Sequence, residues 1–365
     1  MSSPDGPPDP GPDGIDRPPD PAGDDVDGAA PVAPPDTSPS DEPAPVDRQR
    51  AGTSTFTIEG RATPGLFLVG WLATIVGLGM IVVGFLSGGS TAATILIVLG
   101  LLVLSVGLVA AAGSQGMERR ARRRLAYLGP SPFLVFAAAI PISLLAVFAV
   151  SVPLVAVGIP VDGPLAALLS VGIQAVVYVG LVRLLVVDTG ALDWRAMGIV
   201  ALDRLAVIRM AGGALWAVPV ILVTAVVANI LLAIFPVTPT SPLPPTGTMV
   251  GFILSFVAGA VVAPFGEEIL FRGFATTAWV RGMGPRRGLI VGALFFAFAH
   301  VLTIGGASAG DAFELALVAF LGRIPVALAL GWLFVRRGTI WASFGLHAAF
   351  NGLLLILAEM AVRSI

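Results

Sequence analysis

The 365-residue sequence contains no cysteine, no lysine and only two histidines. The absence of cysteine excludes disulfides, thiolate metal sites and cysteine nucleophiles. All 21 basic residues are arginine, and together with the richness in Ala, Gly and Val this favours a GC-rich bacterial genome. Charge is scarce as well, because only 12% of the residues are charged while 56% are hydrophobic. Ordinary soluble domains do not have this composition, so the sequence predicts a polytopic membrane protein.

The first 60 residues differ from the rest of the chain. Residues 1–50 carry twelve acidic residues and three arginines, a net charge of -9. The rest of the chain carries eleven acidic residues and eighteen arginines, a net charge of +7, so the whole chain has a net charge of -2. The same 50 residues include fourteen prolines and very few large apolar side chains. Such a segment cannot bury enough surface to offset the entropy of ordering. We therefore predict a disordered acidic tail over residues 1–60, and its lack of a basic start and an apolar core argues against a signal peptide.

The remaining sequence contains nine apolar runs of roughly the length that crosses a bilayer, about 20 residues. They are 65–87, 91–113, 131–157, 164–187, 206–235, 249–279, 288–304, 312–335 and 339–360. The breaks between them contain glycine, proline or arginine, as helix ends do. The predicted fold class is all-α: a polytopic membrane helix bundle of about nine transmembrane helices with a disordered N-terminal tail.

Arginine is concentrated in every second loop between these runs. The stretch "MERRARRR" at 117–124 follows the second run, and further arginines follow the fourth, sixth and eighth. The loops at 236–248 and 305–311 contain none. By the positive-inside rule, the N-terminus and the basic loops are expected in the cytoplasm and the C-terminus on the other side. The segment 188–205 mixes charged and apolar residues and is expected along the membrane interface.

Three ionisable residues lie together in the apolar stretch "APFGEEILFRG" at 263–273. Carboxylates inside a membrane are functional by default. On an α-helix, Glu268 and Arg272 share a face and can pair, while Glu267 is rotated by about 100° from Glu268 and about 140° from Arg272. This pattern predicts an ion pair of Glu268 with Arg272 and leaves Glu267 free for chemistry. The alternative is that all three form one structural ion network.

Both histidines lie in predicted spans, His300 in "FFAFAH" and His347 in "GLHAAFN". Phe296 is four residues before His300, and Asn351 is four residues after His347. With a rise of about 1.5 Å per residue, Glu267 and His300 each lie about 18 Å from the cytoplasmic ends of their helices, and His347 about 12–15 Å. Similar depths predict a polar cavity inside the bundle that is reached from the cytoplasmic side.

The sequences "EEILFR", "FAFAH" and "HAAFN" fit the patterns E-E-x-x-x-R, F-x-x-x-H and H-x-x-x-N on successive helices, with one helix between the last two. In this the chain resembles the CPBP membrane proteases, the family of type II CAAX prenyl endopeptidases, bacteriocin-processing and bacteriocin-immunity proteins. The likeness covers about residues 190–360, and no motif position departs from it. It divides the chain into the tail at 1–60, N-terminal transmembrane helices at 61–190 and a CPBP-like catalytic core at 191–365.

The resemblance implies an integral membrane endopeptidase. Glu267 would activate a water molecule, and His300 would help to hold that water. His347 and Asn351 would stabilise the negative oxygen that forms during the attack. Water attack on an amide needs such a base and such donors. The residues expected to support this site are Glu268, Arg272 and Phe296.

Whether a metal takes part is left open by the residues. Glu267, His300 and His347 are suitable ligands for a three-ligand zinc site with one open position. The other possibility is a metal-independent glutamate protease, which we favour slightly because neither histidine has a carboxylate nearby in sequence that would orient it. No other cofactor is expected.

Two other functions compete with the protease. One is a non-proteolytic membrane immunity or scaffold protein of the same fold, which has no need for the full set of Glu, two His and Asn. The other is a transporter or channel with a proton relay, against which the absence of internal repeats argues. The expected partners are a membrane protein or peptide substrate and the lipid bilayer, with no nucleic acid, in a bacterial cell membrane. Arg323, in the middle of the eighth run, is expected to pair with a carboxylate of the site or with Glu314.

Overall fold

The computed structural model describes residues 58, 60–123, 125–237, 244–302 and 304–363. The prediction of a disordered tail therefore falls almost entirely outside the described residues. Across the described residues the chain is helical and contains no strand. The predicted all-α fold class is thereby confirmed.

Twelve α-helices follow one another along the described chain. They are α1 Pro64–Leu86, α2 Thr91–Arg122, α3 Pro132–Ala156, α4 Pro164–Val182, α5 Arg204–Ala214, α6 Ala217–Ile234, α7 Met249–Phe256, α8 Ala263–Glu267, α9 Thr277–Met283, α10 Pro285–Ala299, α11 Ala309–Arg337 and α12 Ile340–Arg363. Three π-helical segments are inserted into these helices: Arg183–Val187 continues α4, Val257–Val262 joins α7 to α8, and Glu268–Thr276 joins α8 to α9. Residues Met249–Met283 thus form one continuous helical run whose pitch changes twice on each side of Glu267.

Among the described residues, eight helical runs are long and apolar enough to cross a membrane. The seventh predicted run, 288–304, differs: its helix α10 has 15 residues and ends at Ala299, so it is about 22 Å long, shorter than the roughly 30 Å hydrocarbon core of a bilayer. The helix stops where the His300 ring hydrogen-bonds the carbonyl of Phe296, which satisfies one of the open carbonyls at a helix C-terminus. Within the described residues, the apolar run therefore contains a short helix followed by an irregular connection.

Close approach of helix backbones holds the N-terminal helices together. α1 packs on α2, α2 packs on α3, and α3 packs on α4. A Cβ atom added at Gly77 would lie 2.4 Å from the backbone nitrogen of Leu104, and one at Gly70 would lie 2.6 Å from that of Ala111. Contacts this close are possible only with glycine. Small residues that let two backbones approach are common between helices in lipid, because burial of apolar surface does not drive helices together there.

The run Met249–Met283 lies at the centre of the C-terminal helices. α4, α10 and α12 all contact it, and α11 contacts its π-helical segment Glu268–Thr276. Gly266 fits directly against α4, since a Cβ there would lie 2.8 Å from the Cα of Ala175. The ring of Phe271 packs against the rings of Phe136 and Phe295. These buried contacts fix the position of Glu267 and Glu268 relative to the surrounding helices.

The segment between α4 and α5 turns inward rather than lying wholly on the surface. Met197 is fully buried, and the Ile340 amide donates to the carbonyl of Gly198 at 3.1 Å. The indole nitrogen of Trp341 donates to the carbonyl of Val200 at 2.9 Å. This segment therefore anchors the first turn of α12, the helix that carries His347.

Reporter fusions test the predicted orientation. Fusions after Arg124 and Arg287 are expected to report the cytoplasm, because arginine-rich loops stay on that side. Fusions near Pro244 and Ser308 are expected to report the opposite side, since α6 and α11 lie between these loops and the arginine-rich ones. An inverted signal at Pro244 would contradict the orientation. A cytoplasmic signal at Ser308 alone would show that α10 and the residues after it do not complete a crossing.

Candidate active site

Three helical elements bring the predicted polar residues together. Glu267 ends α8, and Glu268 begins the π-helical segment that follows it. His300 follows the last residue of α10, and His347 lies in α12. The predicted convergence of these residues is present in the structure.

The carboxylate of Glu267 lies between the two histidines. Its Oε2 atom is 3.6 Å from Nε2 of His300 and 3.7 Å from Nε2 of His347. Both distances exceed an ordinary hydrogen bond, so these three atoms face one another without direct bonding. Glu267 is 14% exposed and His300 is 28% exposed, whereas His347 is 5% exposed. The site is accordingly open on the side of Glu267 and His300 and closed behind His347.

The second nitrogen of each ring sets its tautomer. Nδ1 of His300 lies 2.8 Å from the carbonyl oxygen of Phe296, and Nδ1 of His347 lies 2.9 Å from Oε1 of Glu268. A carbonyl and a carboxylate only accept hydrogen bonds, so the proton of each neutral ring is assigned to Nδ1. Each Nε2 then presents a lone pair toward Glu267. The carboxylate that orients His347 is adjacent to Glu267 in sequence but is 79 residues from His347, and sequence inspection did not connect them.

This tautomer bears on the role expected for His347. A neutral ring with its proton on Nδ1 cannot donate a hydrogen bond from Nε2. Stabilising a negative oxygen from that atom would require a doubly protonated ring. In its neutral form, His347 can accept a proton or hydrogen bond at Nε2 from a water molecule beside Glu267.

The predicted pair of Glu268 and Arg272 is present and deeply buried. Oε1 of Glu268 is 3.2 Å from Nη1 of Arg272, and the two side chains are 0% and 2% exposed. Their geometry is that of an ion pair without a hydrogen bond, since Nη1, Nη2 and the second Glu268 oxygen have no hydrogen-bond partner among the described residues. The guanidinium also lies 4.0 Å from the ring centre of Phe296, a cation–π contact.

The expectation that Glu267 points away from its neighbour holds only in part. Glu268–Thr276 is π-helical, so the α-helical rotation of about 100° per residue does not apply beyond Glu267. Glu267 and Glu268 both reach His347, one at each ring nitrogen. The two carboxylates diverge, and the imidazole of His347 spans the space between them.

Phe296 forms the apolar wall behind the polar groups. Its ring centre lies 4.4 Å from that of His300 and 5.7 Å from that of His347, in addition to its contact with Arg272. One buried aromatic ring thus contacts both histidines and the buried cation. Phe296, the first residue of the F-x-x-x-H motif, therefore contacts the site through its apolar ring, as expected of a supporting residue.

Asn351 makes a hydrogen bond to the central helical run. Its side-chain nitrogen donates to the carbonyl of Gly259 at 2.8 Å, and Gly259 belongs to the π-helical segment Val257–Val262. Within the described ranges, no hydrogen bond or ion pair connects Asn351 to Glu267 or to either histidine. This amide fastens α12 to the central run.

Two further polar residues lie on helices that pack around the central run. One is Tyr178, a buried residue of α4, and the other is Arg323 of α11. Arg323 donates to the carbonyl of Ala319 at 3.0 Å and has no ion pair within 4.0 Å in the described part of the chain. The expected pairing with Glu314 is therefore not found. Tyr178 was not singled out from the sequence, although it is one of only two tyrosines.

The fit of a metal ion was tested on the donor atoms. Two imidazole nitrogens and a carboxylate oxygen are the donor types that zinc prefers. Over the residues that the structure describes, however, no group of three or more His, Cys, Asp or Glu is arranged to hold a metal ion.

Residues 249–353 match the model of the family described as type II CAAX prenyl endopeptidase Rce1-like. No curated protein and no solved structure matches the chain. The matched segment begins with α7 and includes every residue of the site described above except Tyr178. This match supports the CPBP family that the three motifs indicate.

Proposed function

We propose that this protein is an integral membrane endopeptidase that hydrolyses a peptide bond of a membrane-associated protein with a water molecule activated by Glu267. The observation that carries the proposal is the position of Glu267, whose Oε2 faces Nε2 of His300 at 3.6 Å and Nε2 of His347 at 3.7 Å. A water molecule bound among these three acceptors donates its two hydrogens to two of them. Its oxygen lone pairs then point away from the acceptors, toward an incoming carbonyl.

The proposed reaction balances without a further reactant. The water oxygen bonds to the carbonyl carbon as Glu267 takes a proton from it, which is the task of a general base. The carbon–nitrogen bond then breaks, and the leaving nitrogen receives the proton from Glu267. No step of this mechanism passes through a metal, and activity is expected to persist after dialysis against a chelator.

Glu268 and Arg272 act in this proposal through His347. The carboxylate of Glu268 holds Nδ1–H of His347 at 2.9 Å and so directs the lone pair of Nε2 toward Glu267. Arg272 balances the charge of Glu268 at 3.2 Å. Partners that fix the tautomer and orientation of a histidine in this way are a common requirement of polar sites.

The proposed substrate is a membrane-associated protein or peptide whose cleavage site, like that of a CAAX protein, lies close to the membrane. Glu267 and His347 lie within helices long and apolar enough to span a bilayer, so only a segment held at the membrane reaches them readily. For a bacterial chain, a membrane-proximal peptide other than a prenylated CAAX protein is the expected natural substrate.

Cleavage in reconstituted liposomes tests the proposed function. The purified protein would be incubated with a pool of lipid-anchored peptides, and the products identified by mass spectrometry. We expect the wild-type protein to cut a subset of peptides and Glu267→Ala to cut none. If wild type and Glu267→Ala both leave the whole pool intact, the alternative of a non-proteolytic immunity or scaffold protein is favoured instead.

A further inference from the structure

A shallow apolar cleft lies where the start of α6 meets α11 and α12. The residues that line it are Trp216, Ala329, Trp332, Leu333 and Leu346. The two indole rings meet edge to face with their centres 5.2 Å apart, and Trp216 is 44% exposed, whereas both leucines are buried. This Trp216–Trp332 cleft therefore has an aromatic rim and a closed apolar floor, and none of its residues belongs to the candidate active site.

A break between two helices places Trp216 at the cleft. Only Leu215 and Trp216 separate α5 from α6, and Leu215 is largely exposed. α5 lies tightly against α12, since a Cβ atom at Gly213 would collide with the carbonyl of Ala342. The position of Trp216 relative to α12 is thus fixed by backbone contact, and the cleft is a constant feature of the fold.

Positive charge lies at the rim of the cleft. The guanidinium of Arg336 is 5.2 Å from the ring centre of Trp332, and the next residue, Arg337, is also exposed. In the described part of the chain, neither arginine forms an ion pair with a carboxylate within 4.0 Å. α12, which follows, has no acidic residue in its first turn. An apolar floor and two positive charges without carboxylate partners therefore lie side by side.

The depth of the cleft matches the boundary between lipid headgroups and acyl chains. Trp332 lies five residues before the end of α11, and Leu346 lies six residues after the start of α12. At about 1.5 Å per residue, both are about 8–9 Å from the ends of their helices. Tryptophan is enriched at this level of a bilayer, and basic pockets between membrane helices on the cytoplasmic side bind anionic headgroups.

We infer that the Trp216–Trp332 cleft is a binding site for an anionic phospholipid. An acyl chain lies against the two indole rings and the buried leucines, and the phosphate of the headgroup contacts Arg336 and Arg337. A zwitterionic lipid offers the same chain without the net negative charge, so the arginines favour the anionic lipid by about fivefold in affinity each. Through Leu346 the lipid contacts α12 directly beside His347, but the inference does not depend on the proposed function.

Quenching of tryptophan fluorescence by brominated lipids tests the inference. The full chain would be reconstituted in phosphatidylcholine with a fixed fraction of phosphatidylglycerol, and the bromines placed on the acyl chains of one lipid or the other. We expect brominated phosphatidylglycerol to quench more strongly at equal mole fraction. The chain has six tryptophans, so Trp216→Phe with Trp332→Phe should abolish this difference. Trp71→Phe, on α1, is the control that should lower the total quenching and keep the difference.

Arginine variants test the charge. Arg336→Gln with Arg337→Gln should lower the preference for the anionic lipid by about fivefold per arginine. The matched control is Arg286→Gln with Arg287→Gln, an exposed adjacent pair at the start of α10, which should keep the preference. Because all four side chains are exposed, both double variants should retain the melting temperature of wild type.

Four results would overturn the inference. Equal quenching by the two brominated lipids would show contact with lipid of any charge. A difference that persists without Trp216 and Trp332 would place the anionic lipid elsewhere. An equal loss of preference in both arginine pairs would assign it to the charge of the whole surface. Relief of quenching by inorganic phosphate beyond that by sodium chloride of the same ionic strength would identify a site for a free anion.

Discussion

Replacing Glu267 by glutamine is expected to lower the rate of peptide cleavage by at least the roughly 10²–10⁴-fold that loss of a general base causes. Glutamine has nearly the same shape but cannot take a proton from water. Because Glu267 lies 3.6 Å and 3.7 Å from its histidine neighbours, the exchange removes no direct hydrogen bond from the fold. We therefore expect the expression level and melting temperature of Glu267→Gln to stay close to those of wild type.

The measurement is the initial rate of cleavage in liposomes, with the melting temperature of the same preparation in detergent. His300→Gln is a useful companion, since it removes one lone pair facing Glu267 while the helix end at Ala299 remains. Rates within a few-fold of wild type for Glu267→Gln would contradict its assignment as the base. Unfolding of Glu267→Gln would also contradict it, because the activity would then be lost together with the fold.

Replacing the neighbouring Glu268 by glutamine is expected to damage stability instead. Its carboxylate is the charge partner of Arg272 at 3.2 Å, and both side chains are excluded from solvent. Leaving a buried charge without its partner costs about 3–5 kcal/mol. The glutamine oxygen can still accept from Nδ1 of His347, so the expected loss comes mainly from the unpaired guanidinium. The predicted result is a markedly lower melting temperature and poor recovery from the membrane.

A double variant provides the control for this prediction. In Glu268→Gln with Arg272→Met, no buried charge remains, and methionine can still pack against the ring of Phe296. Part of the lost stability should return, because removing both members of a buried pair costs much less than removing one. A stable but inactive Glu268→Gln, together with an unstable Glu267→Gln, would show that the two glutamates have the opposite roles.

The sequence by itself determined the class of the protein and the members of the site. Runs of apolar residues define membrane helices because lipid tolerates few exposed polar groups, and eight of the nine predicted runs are long enough to span. Spacing alone also predicted the pairing of Glu268 with Arg272, since residues four apart meet within one element. The scarcity of ionisable side chains made Glu267, His300 and His347 stand out. These inferences use local pattern and composition, which a single chain carries in full.

Tertiary structure decided how those residues relate to one another. The contact of Glu268 with Nδ1 of His347 joins residues 79 positions apart, and no local spacing encodes it. The π-helical segment that begins at Glu268 packs against α4, α10 and α12, and α-helical angles alone do not give the directions of its side chains. The hydrogen bond of Asn351 to Gly259 likewise depends on how helices face each other. Ring tautomers and donor directions follow from such contacts between helices, and for that reason only the folded bundle determined which side chains accept and which donate.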